Sequence, residues 1–177
     1  MEKKTDLLSL SQDTGTMSKK ELEASPGYSS KDCLEKGSVV VIECTEEIPC
    51  DPCETVCKKG AIVVGDPITN LPRLDPEKCN SCGLCIPICP GLAIFMVDAT
   101  YSKEEGAVSF PHEYLPLPKE GDDVEAVDRR GKTVCKGKVV KVQSPKGYDH
   151  TPVVKVAVPN KYIQEVRGMK RSEKGVE

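Results

Sequence analysis

The apolar positions of this chain come in short bursts, not long runs. Ser38 to Glu43 (SVVVIE) is rich in β-branched residues and predicts a strand. Two further bursts, AIVV at 61–64 and AIFMV at 93–97, each begin four residues after a cysteine. Farther on, Val124 with Ala126, then Val134, Val139 to Val142 and Val153 to Val158 predict strands joined by turns at Arg129-Arg130-Gly131 and Pro145-Lys146-Gly147. Over residues 119–160 this pattern suggests a small antiparallel β-barrel of SH3-like size. Residues 101–118 hold Pro111, Pro116 and Pro118, and such density predicts an extended connector. Residues 1–37 are polar and predict a flexible arm with one brief helix, Lys19 to Ala24, closed by Pro26-Gly27. Residues 161–177 are expected to begin as a helix (YIQEVRGMKR) and end as a basic tail.

Composition narrows the class. A chain of 177 residues allows one ordinary domain or two small ones. It has no Trp and two Phe, which argues against a large aromatic core. The longest unbroken apolar run, Leu92 to Val97, is six residues. A membrane-spanning helix needs about 20, so no span is expected. The opening MEKKTDLLSLSQDTG lacks an apolar stretch of signal-peptide length, so a cytoplasmic location is expected. The net charge of −3 argues against a nucleic-acid binder on charge alone. That charge is uneven. Residues 38–100 carry four basic against nine acidic groups, and residues 101–177 carry fifteen against twelve.

The cysteines carry the chemistry. There are ten, and eight fall between Cys44 and Cys89. The run Cys79-Asn-Ser-Cys82-Gly-Leu-Cys85-Ile-Pro-Ile-Cys89-Pro90 is a C-x2-C-x2-C-x3-C-P spacing, in which three thiolates wrap one iron–sulfur cluster and the fourth serves another. Structural zinc usually takes two separated pairs, so the spacing favours [4Fe–4S], with zinc and a disulfide cage as the alternatives. A shift of 32 residues places Cys82, Cys85 and Cys89 on Cys50, Cys53 and Cys57, and Ala93-Ile94 on Ala61-Ile62. The repeat is imperfect. Cys79 falls on Glu47, the nearest cysteine is Cys44, three residues earlier, and Cys57 is followed by Lys58 where Cys89 has Pro90.

With these motifs, residues 44–97 resemble a bacterial-type dicluster ferredoxin domain. The resemblance implies an α+β, ferredoxin-like core with a pseudo-twofold axis, spanning residues 38–100 and holding two [4Fe–4S] clusters. It further implies that one cluster takes Cys44, Cys50, Cys53 and Cys89, and the other Cys57, Cys79, Cys82 and Cys85. Should Cys44 not reach, the first would be a three-cysteine site, [3Fe–4S] or one with an oxygen ligand such as Glu47. Cys33 and Cys135 fall outside the motifs and read as buried, inert thiols. His112 and His150 stand alone and read as surface or loop residues. Ile62, Ile86, Ile88 and Ile94 are expected to shield the clusters, with backbone N–H groups of Asn80-Ser81 and Gly83-Leu84 aimed at sulfur.

No G-x-G-x-x-G, Walker A, G-x-S-x-G or H-E-x-x-H motif is present, so electrons must come from another polypeptide. The chain as a whole is similar to the small iron–sulfur subunits of flavin-dependent dehydrogenases in anaerobic organisms. That wider resemblance implies a non-catalytic, oxygen-sensitive electron-transfer subunit partnered by a flavin-containing dehydrogenase or other redox subunits. Two alternatives remain open. One is a free, diffusible ferredoxin. The other is a nucleic-acid-associated iron–sulfur protein, since the barrel segment resembles KOW modules and carries Lys136, Lys138, Lys141 and Lys146, though only Tyr148 is near for base stacking.

Overall fold

The structure is a computed structural model describing residues 16–29, 31–45 and 47–171. Residues 1–15 and 30 of the flexible arm expected over residues 1–37, and residues 172–177 of the basic tail, lie outside the described residues. Helix α1 spans Lys19–Ala24 and begins with a capping box, in which the Ser18 hydroxyl accepts from the Glu21 N–H and the Glu21 carboxylate accepts from the Ser18 N–H. Helix α2 covers Lys31–Glu35. Strand β1 (Ser38–Ile42), helix α3 (Pro52–Val56), strands β2 (Ile62–Val63) and β3 (Arg73–Leu74), helix α4 (Cys85–Ile88) and strand β4 (Ile94–Asp98) make the cysteine-rich part. Strands β5 (Glu105–Pro111), β6 (Asp123–Val127), β7 (Thr133–Gln143), β8 (Val153–Pro159) and β9 (Gly168–Met169) complete the described chain.

Seven strands form one antiparallel sheet in the order β1-β4-β5-β8-β7-β6-β9, while β2 and β3 form a separate two-stranded ribbon. The run Val39-Val40-Val41-Ile42 is apolar at every position because both faces of β1 are covered. Val39 and Val41 pack with Phe95, Val97, Val108, Phe110 and Val156 in a core under the large sheet. Val40 and Ile42 point the other way, to Ile62, Ile86 and Ile94 of the cysteine-rich part. β4 behaves in the same manner, with Phe95 and Val97 on one face and Ile94 and Met96 on the other, so this strand pair is the wall shared by the two regions.

Three expectations need correction. Glu105–Pro111, expected within an extended connector, is the strand through which β4 joins β8. Gly106 to Phe110 are all buried, and Pro111 stands at the strand's last position. Second, β6, β7 and β8 occupy the segments that suggested a barrel, but no closed barrel is formed among the described strands; they continue the β1–β4 sheet. Third, the stretch read as a helix from Tyr162 becomes a 3-10 turn over Asn160–Tyr162 followed by β9. Gly168 weakens a helix there, and the backbone pairs instead, Arg167 N–H donating to the Val127 carbonyl and Lys170 N–H to that of Glu125, both at 2.9 Å.

Candidate metal centres

The 32-residue repeat is a repeat of hydrogen bonds. The N–H of Gly60 donates to the Cys57 carbonyl at 2.9 Å, and the N–H of Leu92 to the Cys89 carbonyl at 3.0 Å. Both residues are left-handed, with φ of 60° at Gly60 and 51° at Leu92. The reversal turns the next N–H back on the cysteine: Ala61 N–H reaches Cys57 Sγ at 3.3 Å, and Ala93 N–H reaches Cys89 Sγ at 3.5 Å. The carbonyls of the same alanines then accept from Asp75 N–H and Glu43 N–H, both at 2.8 Å. The pairs Ile62–Leu74 in β2–β3 and Ile94–Ile42 in β4–β1 continue the correspondence.

Each half of the repeat therefore folds back to aim one cysteine across at the other half. Cys44, Cys50, Cys53 and Cys89 line a cavity of about 220 Å³, bounded by Ile42 and Ile94 (site 1). Cys57, Cys79, Cys82 and Cys85 line a second cavity of about 170 Å³, bounded by Val40 and Ile62 (site 2). Of the eight thiols, Cys53 and Cys85 are buried, Cys82 is exposed, and the rest are half-buried.

Electrostatics tie the same fours together. Burial pushes the Cys53 thiol up to about 11, with Cys89, Cys50 and Cys44 adding like charge; the Glu54 N–H offsets part of it. Burial pushes Cys85 up to about 12, with Cys79, Cys82 and Cys57 acting in the same sense. Four thiolates facing one small cavity repel one another unless a cation sits between them, which is how iron offsets the cost of their deprotonation. Among the described residues no group of three or more His, Cys, Asp or Glu side chains converges as a single ion requires. All-sulfur donors spread around a cavity suit a polynuclear iron–sulfur group better than one zinc ion.

Supporting contacts differ between the halves. On α3, between Cys53 and Cys57, the Glu54 carboxylate accepts from Gly65 N–H at 3.0 Å and Val64 N–H at 2.9 Å, which hold it below its ordinary range. The Ser81 hydroxyl donates to the Ser38 carbonyl, fastening the Cys79–Cys85 loop to β1. Next to Cys44, Glu43 sits in a buried clamp. Arg129 Nε lies 2.6 Å from its Oε2, and Arg129 Nη2 and Arg167 Nε lie 2.5 and 2.6 Å from its Oε1. The Arg167 and Glu43 side chains are 3% and 7% exposed, so this pair is inside the protein. Burial pushes the Glu43 carboxyl up, but the hydrogen bonds and charges of the two guanidiniums outweigh it and hold it below its ordinary value.

Several residues stand where the sequence did not place them. Ile62, Ile86 and Ile94 are buried as expected, but Ile88 is 39% exposed. His112 is buried, with its ring edge-on to those of Phe110 and Tyr114. The Glu43–Arg129–Arg167 clamp joins residues 86 and 124 positions apart, and no local motif announces it. Pro26-Gly27, expected to close a helix, also bridges the two halves: the Gly27 carbonyl accepts from Ile42 N–H at 3.0 Å and the Pro26 carbonyl from Leu74 N–H at 3.2 Å. Cys33 and Cys135 are half-buried and pack against the core of the large sheet.

Residues 72–95 match a family described as a 4Fe-4S binding domain. The chain is 53% identical over 38 residues to one component of the Na(+)-translocating ferredoxin:NAD(+) oxidoreductase complex of Acetobacterium woodii, a match covering 22% of this chain and 11% of that protein. It is 47% identical over 47 residues to one component of the ion-translocating oxidoreductase complex of Methanosarcina acetivorans, covering 27% of this chain and 17% of that protein. The chain thus spans less than a fifth of the length of these relatives. No solved structure matches it. The chain carries a 4Fe-4S ferredoxin-type domain. No helix among the described residues is long and apolar enough to cross a membrane.

Proposed function

We propose that this chain is a non-catalytic electron-transfer subunit that carries electrons through two [4Fe–4S] clusters within a multi-subunit oxidoreductase. The observation that carries the reading is the pair of cavities, each lined by four cysteines contributed by both halves of the repeat. Cys44, Cys50, Cys53 and Cys89 would hold one cluster, and Cys57, Cys79, Cys82 and Cys85 the other. Each group, when bound, supplies one-electron redox chemistry, with a potential set by charge, hydrogen bonds to sulfur and solvent. The protein's part is to keep water from site 1 with Ile42 and Ile94 and from site 2 with Val40 and Ile62, and to donate Ala61 and Ala93 N–H groups to sulfur. Eight thiols used in this way need a reducing compartment, which supports the cytoplasm. A flavin-containing dehydrogenase is the partner this reading favours, since nothing in the chain's motifs handles a two-electron donor.

Anaerobic reconstitution tests the cluster count. About eight irons and as many sulfides per chain are expected, with an electron paramagnetic resonance spectrum of two interacting clusters. Replacing Cys85 with Ser should remove or degrade one cluster, and replacing Cys135 with Ser should leave iron content as it was. Full iron in the first variant, or loss in the second, would show the ligand assignment to be wrong. Anaerobic affinity purification from the native host should recover a stoichiometric flavoprotein. Recovery of the chain alone would make it a diffusible ferredoxin.

A further inference from the structure

Sites 1 and 2 meet solvent differently. At site 1 the lining includes Glu43 and no Lys or Arg among the described residues. At site 2 it includes Lys58 and Lys59, both exposed, beside Cys82, the exposed thiol. Leu84, 37% exposed, and Ile88, 39% exposed, stand four residues apart at the ends of α4 and bring apolar surface to that side. Residues 38–100 contain only four basic residues against nine acidic ones, and two of the four are this pair. Nearby charges are already engaged: Lys78 pairs with Asp75 at 2.9 Å, and Glu54 is bonded to the Val64 and Gly65 N–H groups.

We propose that the Cys82 face, with Leu84 and Ile88 beside it and Lys58 and Lys59 on its rim, is the docking surface for a redox protein whose own centre lies in an acidic patch. This rests on the electron-transfer reading and names the partner's chemistry. An acidic partner is repelled by most of the cysteine-rich part and attracted at this rim, so the field itself selects the orientation in which the two centres approach. Exclusion of water over Leu84 and Ile88 then holds the encounter complex together. One electron passes from the reduced holoprotein to the acceptor, which is reduced by one electron. The large sheet lies behind β1 and β4 on the other side of the cysteine-rich part, leaving the Cys82 face open.

The test uses the full-length holoprotein, reduced with dithionite, and an acidic flavodoxin as the probe acceptor. Stopped-flow rates are followed against ionic strength. The double variant Lys58→Glu/Lys59→Glu should slow transfer about ten-fold at low salt and abolish its decline with added salt. Lys136→Glu/Lys141→Glu makes the same change in net charge on exposed residues of β7 and should leave the rate within about two-fold of wild type. Equal slowing by the two pairs, or no slowing by the first, would overturn the docking surface. Iron and sulfide content, measured on every sample, separates the two levels. A wild-type chain that cannot hold clusters defeats the electron-transfer reading, whereas intact clusters with unaltered kinetics defeat only the docking surface.

Discussion

The two halves of the cysteine repeat follow the same local rules and are supported by different means. Each turns through a left-handed residue, returns an N–H to its crossing cysteine, and closes with one antiparallel ribbon. The β1–β4 ribbon has five paired positions and continues into the seven-stranded sheet, with both faces buried. The β2–β3 ribbon has two paired positions and stands apart. Glu43 and Asp75 are 32 residues apart, and each donates its N–H to the equivalent alanine carbonyl. Glu43 is buried between two arginines, whereas Asp75 pairs with one lysine at the surface. The comparison teaches that cysteine geometry is written locally, while the stability behind it is drawn in one half from a distant part of the chain.

The largest effect should come from separating that equivalent pair. Glu43→Gln leaves Arg167 buried without its counter-charge, and breaking a buried ion pair in this way costs roughly 3–5 kcal/mol. Denaturant unfolding of the reconstituted protein should show that loss, together with iron missing first from site 1, whose Cys44 follows Glu43 directly. Asp75→Asn, at the matching place in the other half, should leave the unfolding midpoint unchanged because its partner is exposed. Equal sensitivity of the two variants would remove the distinction between the halves.

Gly27 probes what the halves share. A Cβ at this position would lie 2.7 Å from Ile42 Cβ, 3.0 Å from the Ile42 carbonyl oxygen and 3.1 Å from that of Pro72. Backbone on two sides cannot give way cheaply, so Gly27→Ala should cost about 1–3 kcal/mol as overpacking. Because the segment bridges β1 and β3, the proposed occupancy of sites 1 and 2 should become labile at both together, as read by the rate of iron release to a chelator. Release from one site alone would mean that the bridge serves a single half.

Legibility in the sequence followed range along the chain. The cysteine spacing, the alanines four residues after Cys57 and Cys89, and the short apolar bursts are local, and β1, β2 and β4 could be read from them; β3, the two residues Arg73–Leu74, lies in no such burst and could not. The C-terminal strands were legible as segments, since Val153 to Val158 is β-branched throughout most of its paired length. Their joining to β4 was not, because it depends on β5, and its three neighbouring prolines masked a run, Gly106 to Phe110, that contains no proline. Long-range partners left no trace: Arg129 and Arg167 look like ordinary surface cations until the fold brings them to Glu43. The left-handed turn at Leu92 was hidden because its counterpart uses Gly60, the residue type that signals such a turn, and Leu does not.

The smallest effect concerns the anchoring of the β1–β4 half through β5. His112 follows Pro111, the last residue of that strand, and its N–H donates to the Pro152 carbonyl at 2.8 Å. Burial holds its imidazole below the ordinary value of 6.5, so the folded protein favours the neutral ring. The unfolded chain takes up the proton at a higher pH than the folded one. The stability that depends on a neutral His112 is therefore present above 6.5 and is lost as pH falls through the lower, folded value. Hydrogen exchange at the β5 amides should accelerate across that window, while the β2–β3 amides, which belong to a separate ribbon, hold their rates. His112→Gln, which carries no titrating group, should make the β5 amides insensitive to the same change. Acceleration that persists in this variant, or that reaches β2 and β3 equally, would place the acid sensitivity outside the sheet and weaken the claim that one half draws its support from there.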